Sequence, residues 1–331
     1  MRIGMVGAGL QAKRRLASFT DHPEDTIAAI ASSDLGEARA LADAHRTAAV
    51  GTWRELVADE SIDAMVVCST PDSHFEIASA AIEAGKHTLV EKPLTRTSAQ
   101  ARELADLADR NGVVFACGFN HRYHPAVSRA LQLVAEGTLG RPLSMRGLYG
   151  IGGRSGIERE WRSDPDRAAG GQLMEQGIHL VDLVLAVHPG VSEVFGHVDT
   201  VLFPIEPLED MGTAVLVGDR FSASVSSSLL QWRNTFSLEV TCQDGYVTVD
   251  GLGGSYGNEV LTVGRRDEHA PFAEEKTYFR GADRSWSAEW TAFAASVSGT
   301  GPRLDPYAAA KAMRIVEAAY ESSATGRRVQ V

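Results

Sequence analysis

Short apolar runs alternate with helical patterns over the first 120 residues, and this alternation constrains the fold more than any other feature. The runs cover residues 2–6, 26–31, 62–69, 87–91 and 113–117. The stretches between them have helical spacing, and two of them end at the glycines Gly85 and Gly112. Because the runs are apolar almost throughout, they predict strands that are buried on both faces. Residues 1–120 are therefore predicted to form an α/β domain with a parallel sheet between two layers of helices.

The pattern changes after residue 120. Helical stretches at residues 125–136 and 172–187 are separated by a strand and by a loop rich in glycine and arginine. Residues 191–263 then have the alternating pattern of strands, interrupted by turn pairs such as Asp244-Gly245. Two more helical stretches follow, at residues 287–297 and 306–322. Residues 121–331 are therefore predicted to form an α+β domain with a largely antiparallel, open-faced sheet.

That sheet is predicted to carry helices on one face only. Apolar residues on the open face must then be buried by something other than this chain's helices. The residues assigned to that face are Val215, Val225, Leu229 and Phe236. Because pairing with another copy would bury such a face, a homodimer or homotetramer is predicted.

A glycine-rich turn lies between the first predicted strand and the first predicted helix. Gly7-Ala8-Gly9-Leu10-Gln11-Ala12 fits the G-x-G-x-x-G/A dinucleotide fingerprint in its required strand–turn–helix context. Gly7 permits the tight turn, Gly9 lets the backbone approach a pyrophosphate, and Ala12 packs the helix closely on the sheet. The helix N-terminus then offers N–H groups to the phosphate. The α/β domain is therefore predicted to be a Rossmann domain that binds NAD or NADP.

The residues after the second strand bear on the choice between the two cofactors. The strand is followed by Ser32-Ser33-Asp34, so Ser32 stands where an acid that binds the ribose hydroxyls of NAD is expected. A serine does not repel the 2'-phosphate of NADP. Lys13 and Arg14 lie just past the glycines and would supply positive charge, unless both are merely solvated helix residues. NADP is slightly favoured. NAD stays open because an acid, Asp34, is present but comes later in the chain than the expected position.

Composition narrows the class of function and the compartment. The formal net charge of -11 disfavours nucleic-acid binding, which needs a basic face. No stretch approaches the ~20 apolar residues of a membrane helix, and no signal peptide is evident. The cysteines, Cys68, Cys117 and Cys242, show neither metal-ligand nor disulfide spacing. A cytoplasmic protein with no membrane or nucleic-acid partner is therefore predicted.

Glu91-Lys92-Pro93-Leu94 follows the apolar run that begins at residue 87. Pro93 cannot extend that strand as a central member of the sheet, so the chain must turn there. The turn holds Lys92 at the carboxyl edge of the sheet, where ligands of open α/β sheets bind. Lys92 is therefore a candidate for chemistry beside a bound dinucleotide.

Three motifs occur in an order that resembles one enzyme family. They are Gly7-x-Gly9-x-x-Ala12, then Gly85-Lys86-His87 leading to Glu91-Lys92-Pro93-Leu94, and last Gly177-Ile178-His179-x-x-Asp182 within residues 170–182. Together they resemble the glucose–fructose oxidoreductase/inositol dehydrogenase/rhizopine catabolism (Gfo/Idh/MocA) family over essentially the whole chain. The resemblance implies an NAD(P)-dependent oxidoreductase that acts on a CH–OH group of a sugar, cyclitol or nucleotide sugar.

The resemblance also implies roles for three residues. In the family the lysine of Glu-Lys-Pro is catalytic and the Lys–Pro bond is often cis, which points to Lys92. The family's Asp-x-x-x-His motif places its histidine at His179, but Glu175 stands where the aspartate is expected. His179 is predicted to donate or accept the proton, and Lys92 to stabilise the oxyanion and relay the proton. The reverse assignment stays open, and Glu175 is either catalytic or only orients a neighbour.

The other candidate residues form two sets. The predicted cofactor-binding residues are Gly7, Gly9, Leu10, Gln11, Ala12, Ser32, Ser33, Thr70, Pro71, His74, Glu91 and Lys92. The predicted substrate-binding residues are Asn120, Arg122, Tyr149, Arg154, Trp161, Arg162 and Gln176. A structural role is also open for His74, and the arginines suggest an anionic substrate. No metal is predicted, because Glu175 and His179 lack a third ligand at a suitable spacing.

Two other functions stay open beside the leading one. A glycoside hydrolase that uses bound NAD for transient oxidation, as some relatives do, would show no net NADH production. A non-catalytic NAD(P) sensor would need a partner protein, and the intact Lys92 and His179 argue against it. The leading hypothesis is a dehydrogenase or reductase that moves a hydride between the nicotinamide and a hydroxyl or keto carbon of a small carbohydrate.

Overall fold

The computed structural model describes residues 1–266 and 273–331, and these divide into two compact units. The first unit comprises Met1–Asn120 and Trp286–Lys311, and the second comprises His121–Ser285 and Ala312–Val331. The first boundary falls where the sequence pattern changes. Residues 286–311, which the sequence placed in the second domain, belong instead to the first unit.

The first unit contains a six-stranded parallel sheet. Its strands are β1 (Arg2–Val6), β2 (Thr26–Ala31), β3 (Ala48–Val50), β4 (Ala64–Val67), β5 (His87–Val90) and β6 (Phe115–Cys117). They lie in the order β3-β2-β1-β4-β5-β6. Every residue of β4 is buried, as the continuous apolar run predicts. The strand order reverses between β1 and β4, which is the switch point where open α/β sheets bind ligands.

Five helices connect these strands. They are α1 (Leu10–Ser18), α2 (Leu35–His45), α3 (Trp53–Ala58), α4 (Pro71–Glu83) and α5 (Ser98–Asn111). Strand β3 and helix α3 have only three and six residues, and neither was predicted from the sequence. Elements this short show less than two full repeats of a helical or strand pattern, so periodicity gives no usable signal.

The second unit contains a nine-stranded sheet. Its strands are β7 (Pro142–Gly152), β8 (Val191–Asp199), β9 (Met211–Gly218), β10 (Phe221–Ser228), β11 (Leu230–Cys242), β12 (Gly245–Asp250), β13 (Glu259–Arg265), β14 (Ala273–Phe279) and β15 (Val329–Gln330). The remaining helices of the described chain are α6 (Pro125–Ala135), α7 (Ile178–Val187), α8 (Ser285–Ser298) and α9 (Ala308–Thr325). The strand order is β14-β13-β12-β11-β7-β10-β9-β8-β15, and within the described residues β7 and β10 form the one parallel pair. The predicted, largely antiparallel sheet is confirmed.

Helix α7 packs on one face of this sheet. A Cβ built on Gly147 of β7 would lie 2.9 Å from a methyl carbon of Leu180, so the glycine lets the helix approach closely. Val225, Leu229 and Phe236 are all buried, whereas Val215 is 39% exposed beside its register partner Phe195. The assignment of all four apolar residues to the open face is therefore wrong for three of them. Alternation in a single sequence marks two faces but does not tell which one the helices cover.

Residues 286–311 join the first unit because α8 carries aromatic side chains that complete its core. Trp290 and Phe293 are buried and stack with their ring centroids 5.1 Å apart. Trp290 also meets Phe19 edge to face at 4.7 Å, and its indole N–H donates to Asp25 at 2.6 Å. The chain thus returns to the first unit through α8, so a division into two domains at a single position does not describe it.

Two observations bear on the predicted location. No helix in the part of the chain that the structure describes is long and apolar enough to cross a bilayer. The three cysteines are all free thiols. The cytoplasmic location stays a prediction.

Candidate active site

In the turn after β1, the backbone conformation and a close contact within the protein require glycine at one position. Gly7 has a φ of 106°, and a Cβ there would lie 2.6 Å from the carbonyl oxygen of Cys68. Gly9 is different, because a Cβ there would meet no described atom within 4 Å. Contacts among the described residues therefore do not explain Gly9, and its lack of a side chain leaves room for a ligand that approaches the backbone.

The start of α1 adds hydrogen-bond donors to this turn. The first helical bond of α1 is donated by Lys13 to Gly9, so the N–H groups of Leu10, Gln11 and Ala12 precede it. No side chain of the described residues caps this helix, and its first turn contains no acidic residue. Leu10 is exposed, whereas Ala12 is fully buried against the sheet. Such donors suit the pyrophosphate of a dinucleotide, and the role of these residues in binding it stays a prediction.

Asp34, the acid after β2, is used as a helix cap. Its Oδ1 accepts the N–H groups of Gly36 at 2.8 Å and Glu37 at 3.0 Å, which makes it the N-cap of α2. The hydroxyl oxygen of Ser32 accepts the Asp34 N–H at 3.3 Å. Ser32 is half-buried and Ser33 is exposed at the end of β2. The strand end therefore presents serines, while the nearest carboxylate bonds to the helix that follows.

Lys92 follows β5 closely, and the Lys92–Pro93 bond is cis. The turn is braced by His74 of α4, whose Nδ1 lies 3.1 Å from the Pro93 carbonyl and whose Nε2 lies 3.1 Å from the Ser69 carbonyl. Burial lowers the pKa of His74, which is 1% exposed. These contacts give His74 a structural role, and its role as a cofactor contact stays a prediction. Thr70 and Pro71, at the N-terminus of α4, lie after β4 at the same edge of the sheet.

The carboxylate of Glu91 pairs with a buried arginine, and its role as a cofactor-binding residue stays a prediction. Arg15 of α1 donates from Nε to Glu91 Oε1 at 2.6 Å, and its Nη1 lies 2.8 Å from Glu289 Oε2 on α8. The three side chains are 3–4% exposed. A Cβ on Gly118, just after β6, would lie 2.5 Å from Arg15 Nη2, so the glycine makes room for the guanidinium. We call Arg15, Glu91 and Glu289 the arginine cluster.

The second unit places His179 in an aromatic group. His179 lies in the first turn of α7, is 3% exposed, and stacks on His121 with 3.8 Å between ring centroids. Tyr149 of β7 meets His121 edge to face at 4.9 Å, and its ring centroid lies 6.1 Å from that of His179. His121 was missed as a site residue. The signal was its position between Asn120 and Arg122, both of which were selected for their polar side chains.

A π-helical turn, Leu173–Gly177, leads into α7. Such turns are rare and occur frequently at functional sites. The turn carries Glu175, which accepts a hydrogen bond from Arg162 Nε at 3.0 Å, and Gln176. Within residues 1–266 and 273–331, the buried Oε1 of Gln176 has no hydrogen-bond partner. An acceptor in that state fits the predicted role of Gln176 in binding a ligand.

The selected arginines of this unit are paired with acids. Arg122 binds Asp182 through Nε at 2.7 Å and Nη2 at 2.6 Å, and Asp182 is fully buried. Burial is the largest influence on the pKa of Asp182 and raises it, whereas Arg122 lowers it. Arg154 pairs with Glu160 at 2.6 Å. These acids offset the positive charge that suggested an anionic substrate, so that suggestion loses its support.

Trp161 and Asn120 are the other two substrate candidates. Trp161 stacks under Arg162, whose guanidinium carbon is 4.4 Å from the indole centroid. Asn120 ends the first segment of the first unit and is 4% exposed. The structure therefore groups Tyr149 with His179, and Trp161 and Arg162 with Glu175.

Two family models match this chain. Residues 1–119 match the model of an oxidoreductase family with an NAD-binding Rossmann fold, and residues 127–248 match the Gfo/Idh/MocA C-terminal domain. The chain belongs to the Gfo/Idh/MocA family. The resemblance that the three motifs carry is thereby confirmed, and the chain is an NAD(P)-dependent oxidoreductase with a Rossmann domain.

Two relatives with known names are similar in sequence to this Gfo/Idh/MocA chain. It is 28% identical to levoglucosan dehydrogenase of Pseudarthrobacter phenanthrenivorans over 69% of its own length and 63% of that protein. It is also 28% identical to D-xylose 1-dehydrogenase (NADP(+)) 2 of Haloferax volcanii over 99% of its length and 98% of that protein. The chain thus spans less than two thirds of the first relative and nearly all of the second.

A solved member of the family has the same fold. Levoglucosan dehydrogenase in complex with NADH and L-sorbose superposes with a TM-score of 0.92 at 22% identity, over 100% of this chain and 98% of that one. At this identity the likeness concerns the fold of this Gfo/Idh/MocA protein and leaves its substrate to be argued from its own residues.

Proposed function

We propose that this protein is a dehydrogenase or reductase that moves a hydride between NAD(P) and a hydroxyl or keto carbon of a carbohydrate. The observation that carries the proposal is Lys92 at the carboxyl end of β5, in the unit whose glycine turn fits a dinucleotide. The relatives named above support a carbohydrate, because their names specify levoglucosan and D-xylose.

The chemistry requires one residue to manage a proton and one to manage charge on oxygen. When bound, the nicotinamide ring supplies the acceptor or donor of the hydride. We assign the hydroxyl proton to His179, whose imidazole is the ordinary acceptor near neutral pH. Lys92 stabilises the charge that develops on the oxygen, and Glu175 and Gln176 hold the substrate. In the reductive direction His179 returns the proton.

The direct test is absorbance of NAD(P)H over a panel of sugars with both cofactors. Net turnover supports a dehydrogenase or reductase, whereas a glycoside hydrolase or a sensor gives none. The variant Lys92→Ala is expected to lose about 100-fold or more in kcat. Lys276→Ala, which removes an exposed lysine of β14, is the matched control and should keep full activity. Unchanged turnover of Lys92→Ala would contradict the role given to Lys92.

We further propose that NADP is preferred to NAD. Support comes from the serines at the end of β2 and from Asp34, whose carboxylate caps α2. The variant Ser32→Asp should lower kcat/KM for NADP by about tenfold or more, because a carboxylate would repel the 2'-phosphate, and change kcat/KM for NAD far less. A higher kcat/KM with NAD than with NADP in the unmodified protein would contradict the preference.

We also propose that the protein is a homodimer or homotetramer. Phe195 and Val215 are paired in register on the outer face of the large sheet and are 46% and 39% exposed. Burial of such a pair against a second copy would stabilise an assembly. Light scattering that gives the mass of a single chain would contradict this proposal.

A further inference from the structure

Glu209 binds three consecutive backbone N–H groups at the start of the segment that carries His179. Its Oε2 accepts from Gly171 at 3.0 Å, its Oε1 accepts from Leu173 at 2.9 Å, and its backbone carbonyl accepts from Gln172 at 3.0 Å. Glu209 is 6% exposed. The first N–H groups of a helical segment have no partner inside the helix, so this residue supplies what a local cap normally provides.

Tyr320 of α9 completes this arrangement. Its hydroxyl donates to Glu209 Oε1 at 2.8 Å. These partners of the carboxylate are all donors, so they suit its ionised form, and a negative charge at a helix N-terminus is favourable. Gly171, Leu173 and Tyr320 thus hold the Glu209 carboxylate in one orientation.

The glycine pair before the π-helical turn is explained by the same contacts. A Cβ on Gly171 would lie 2.3 Å from both the carbonyl oxygen and Oε2 of Glu209. A Cβ on Gly170 would lie 2.5 Å from the Tyr320 hydroxyl. Neither glycine has the positive φ that would otherwise call for glycine. Gly170 and Gly171 are therefore needed because Glu209 and Tyr320 approach the backbone closely.

We propose that Glu209 and Tyr320 form a clamp that positions the π-helical turn and the first turn of α7, and through them His179. The inference rests on the proposed function, because it assigns Glu209 an effect on a residue given a catalytic role there. Glu209 is a positioning residue, since it contacts backbone and a phenol rather than the reacting groups. The turn it anchors also carries Glu175 and Gln176.

The test uses Glu209→Gln and Tyr320→Phe in the full chain. In Glu209→Gln the new side-chain amide would set an N–H₂ against groups that are themselves donors, whereas Tyr320→Phe removes one hydrogen bond and keeps the two backbone contacts. A shift of about 1 Å in a catalytic group can lower turnover about 100-fold, so we expect kcat to fall about 10- to 100-fold in Glu209→Gln. We expect a smaller loss, about three- to tenfold, in Tyr320→Phe.

The KM for the cofactor should change less than about twofold in both variants, because the clamp lies in the second unit and the dinucleotide residues lie in the first. Matched controls are Glu275→Gln and Tyr278→Phe, which alter exposed side chains of β14. Both controls should keep the kcat of the unmodified protein.

A double-mutant cycle separates the clamp from the function on which it rests. If Glu209 acts through His179, then adding Glu209→Gln to His179→Asn should lower kcat little further, since the positioned group is already gone. Losses that multiply in the double variant would overturn positioning of His179 by Glu209. A kcat within about twofold of normal in Glu209→Gln, with His179→Asn strongly impaired, would overturn the clamp and leave the proposed function standing.

The converse result is also distinct. Full activity of His179→Asn would overturn the role of His179 in the proposed function, and with it the clamp as defined here. If Glu209→Gln does not fold, Tyr320→Phe in the normal and His179→Asn backgrounds gives the same cycle. A Tyr320→Phe loss that persists unchanged in the His179→Asn background would overturn the proposal.

Discussion

Each of the two proposed catalytic residues lies in a segment that a buried carboxylate contacts, but the two carboxylates are held by different chemistry. Glu91, beside Lys92, shares the cation Arg15 with Glu289. Glu209, at the start of the segment that carries His179, is held by neutral N–H and O–H donors. Removing a cation that two buried carboxylates share is more costly than removing one of several neutral hydrogen bonds. The stability of the first unit should therefore depend mainly on the charge of Arg15. The stability of the second unit should depend mainly on the geometry of the hydrogen bonds to Glu209.

The largest effect is expected in the first unit. Arg15→Met takes the shared cation away from Glu91 and Glu289, and should lower the free energy of unfolding by about 3–5 kcal/mol. Urea unfolding followed by tryptophan fluorescence measures this, because Trp286 and Trp290 lie on α8 next to the cluster. Arg15→Lys keeps the charge but not the fork that reaches both acids, so its loss should be smaller. A loss below about 1 kcal/mol in Arg15→Met would contradict the claim that the shared cation contributes more to stability than the hydrogen bonds of Glu209 do.

A smaller effect is expected in the second unit. Glu209→Gln removes an acceptor from neutral donors but also removes a buried charge, so the free energy of unfolding should fall by about 1–2 kcal/mol. The same urea titration measures it, with Glu275→Gln as a control that should change stability by less than about 0.5 kcal/mol. If Glu209→Gln destabilises as much as Arg15→Met, the distinction between charge and geometry is wrong.

The smallest expected effect is on the dependence of stability on pH. Burial is the largest influence on Glu209 and raises its pKa above the ordinary value of 4.5, against the bonds from Tyr320, Leu173 and Gly171. A carboxyl with a raised pKa binds its proton more tightly when folded, so its contribution to stability declines as pH rises from about 4.5 through the raised value. Glu209→Gln should remove that decline.

Asp182 serves as the internal reference in that measurement. Burial raises its pKa too, and it is present in both proteins, so its decline is common to both curves. The unfolding free energy of each protein is measured by urea titration at a series of pH values. Parallel curves for the unmodified protein and Glu209→Gln would show that Glu209 has the same proton affinity folded and unfolded.

Local sequence patterns were sufficient to predict much of the structure of the first unit. The strands were predicted from continuous apolar runs, and the dinucleotide turn from Gly7 and Gly9, whose spacing in a short motif is visible in the sequence. Lys92 was identified because a proline fixes where β5 must end. Each of these signals depends on neighbours in sequence, so a single chain displays it.

Long-range contacts were not accessible in the same way. The pairing of Glu91 with Arg15 could not be predicted, because Arg15 lies 76 positions away in the chain and Glu289 lies farther still. Glu209 was not considered, since nothing near it in sequence indicates that it meets Gly171. His121 lies between two residues that were selected from the sequence, but only the packed structure shows its ring stacked on His179.

The sequence by itself determined the family, the parallel sheet with its dinucleotide turn, and the candidacy of Lys92 and His179. These follow from periodicity and from short motifs, whose physical causes act along a few consecutive residues. Only the tertiary structure decided that α8 returns to the first core, which face of the large sheet is covered, and which buried groups hold Glu91 and the start of the His179 segment. Those outcomes depend on which distant side chains come together when apolar surface is buried, and no local pattern records that choice.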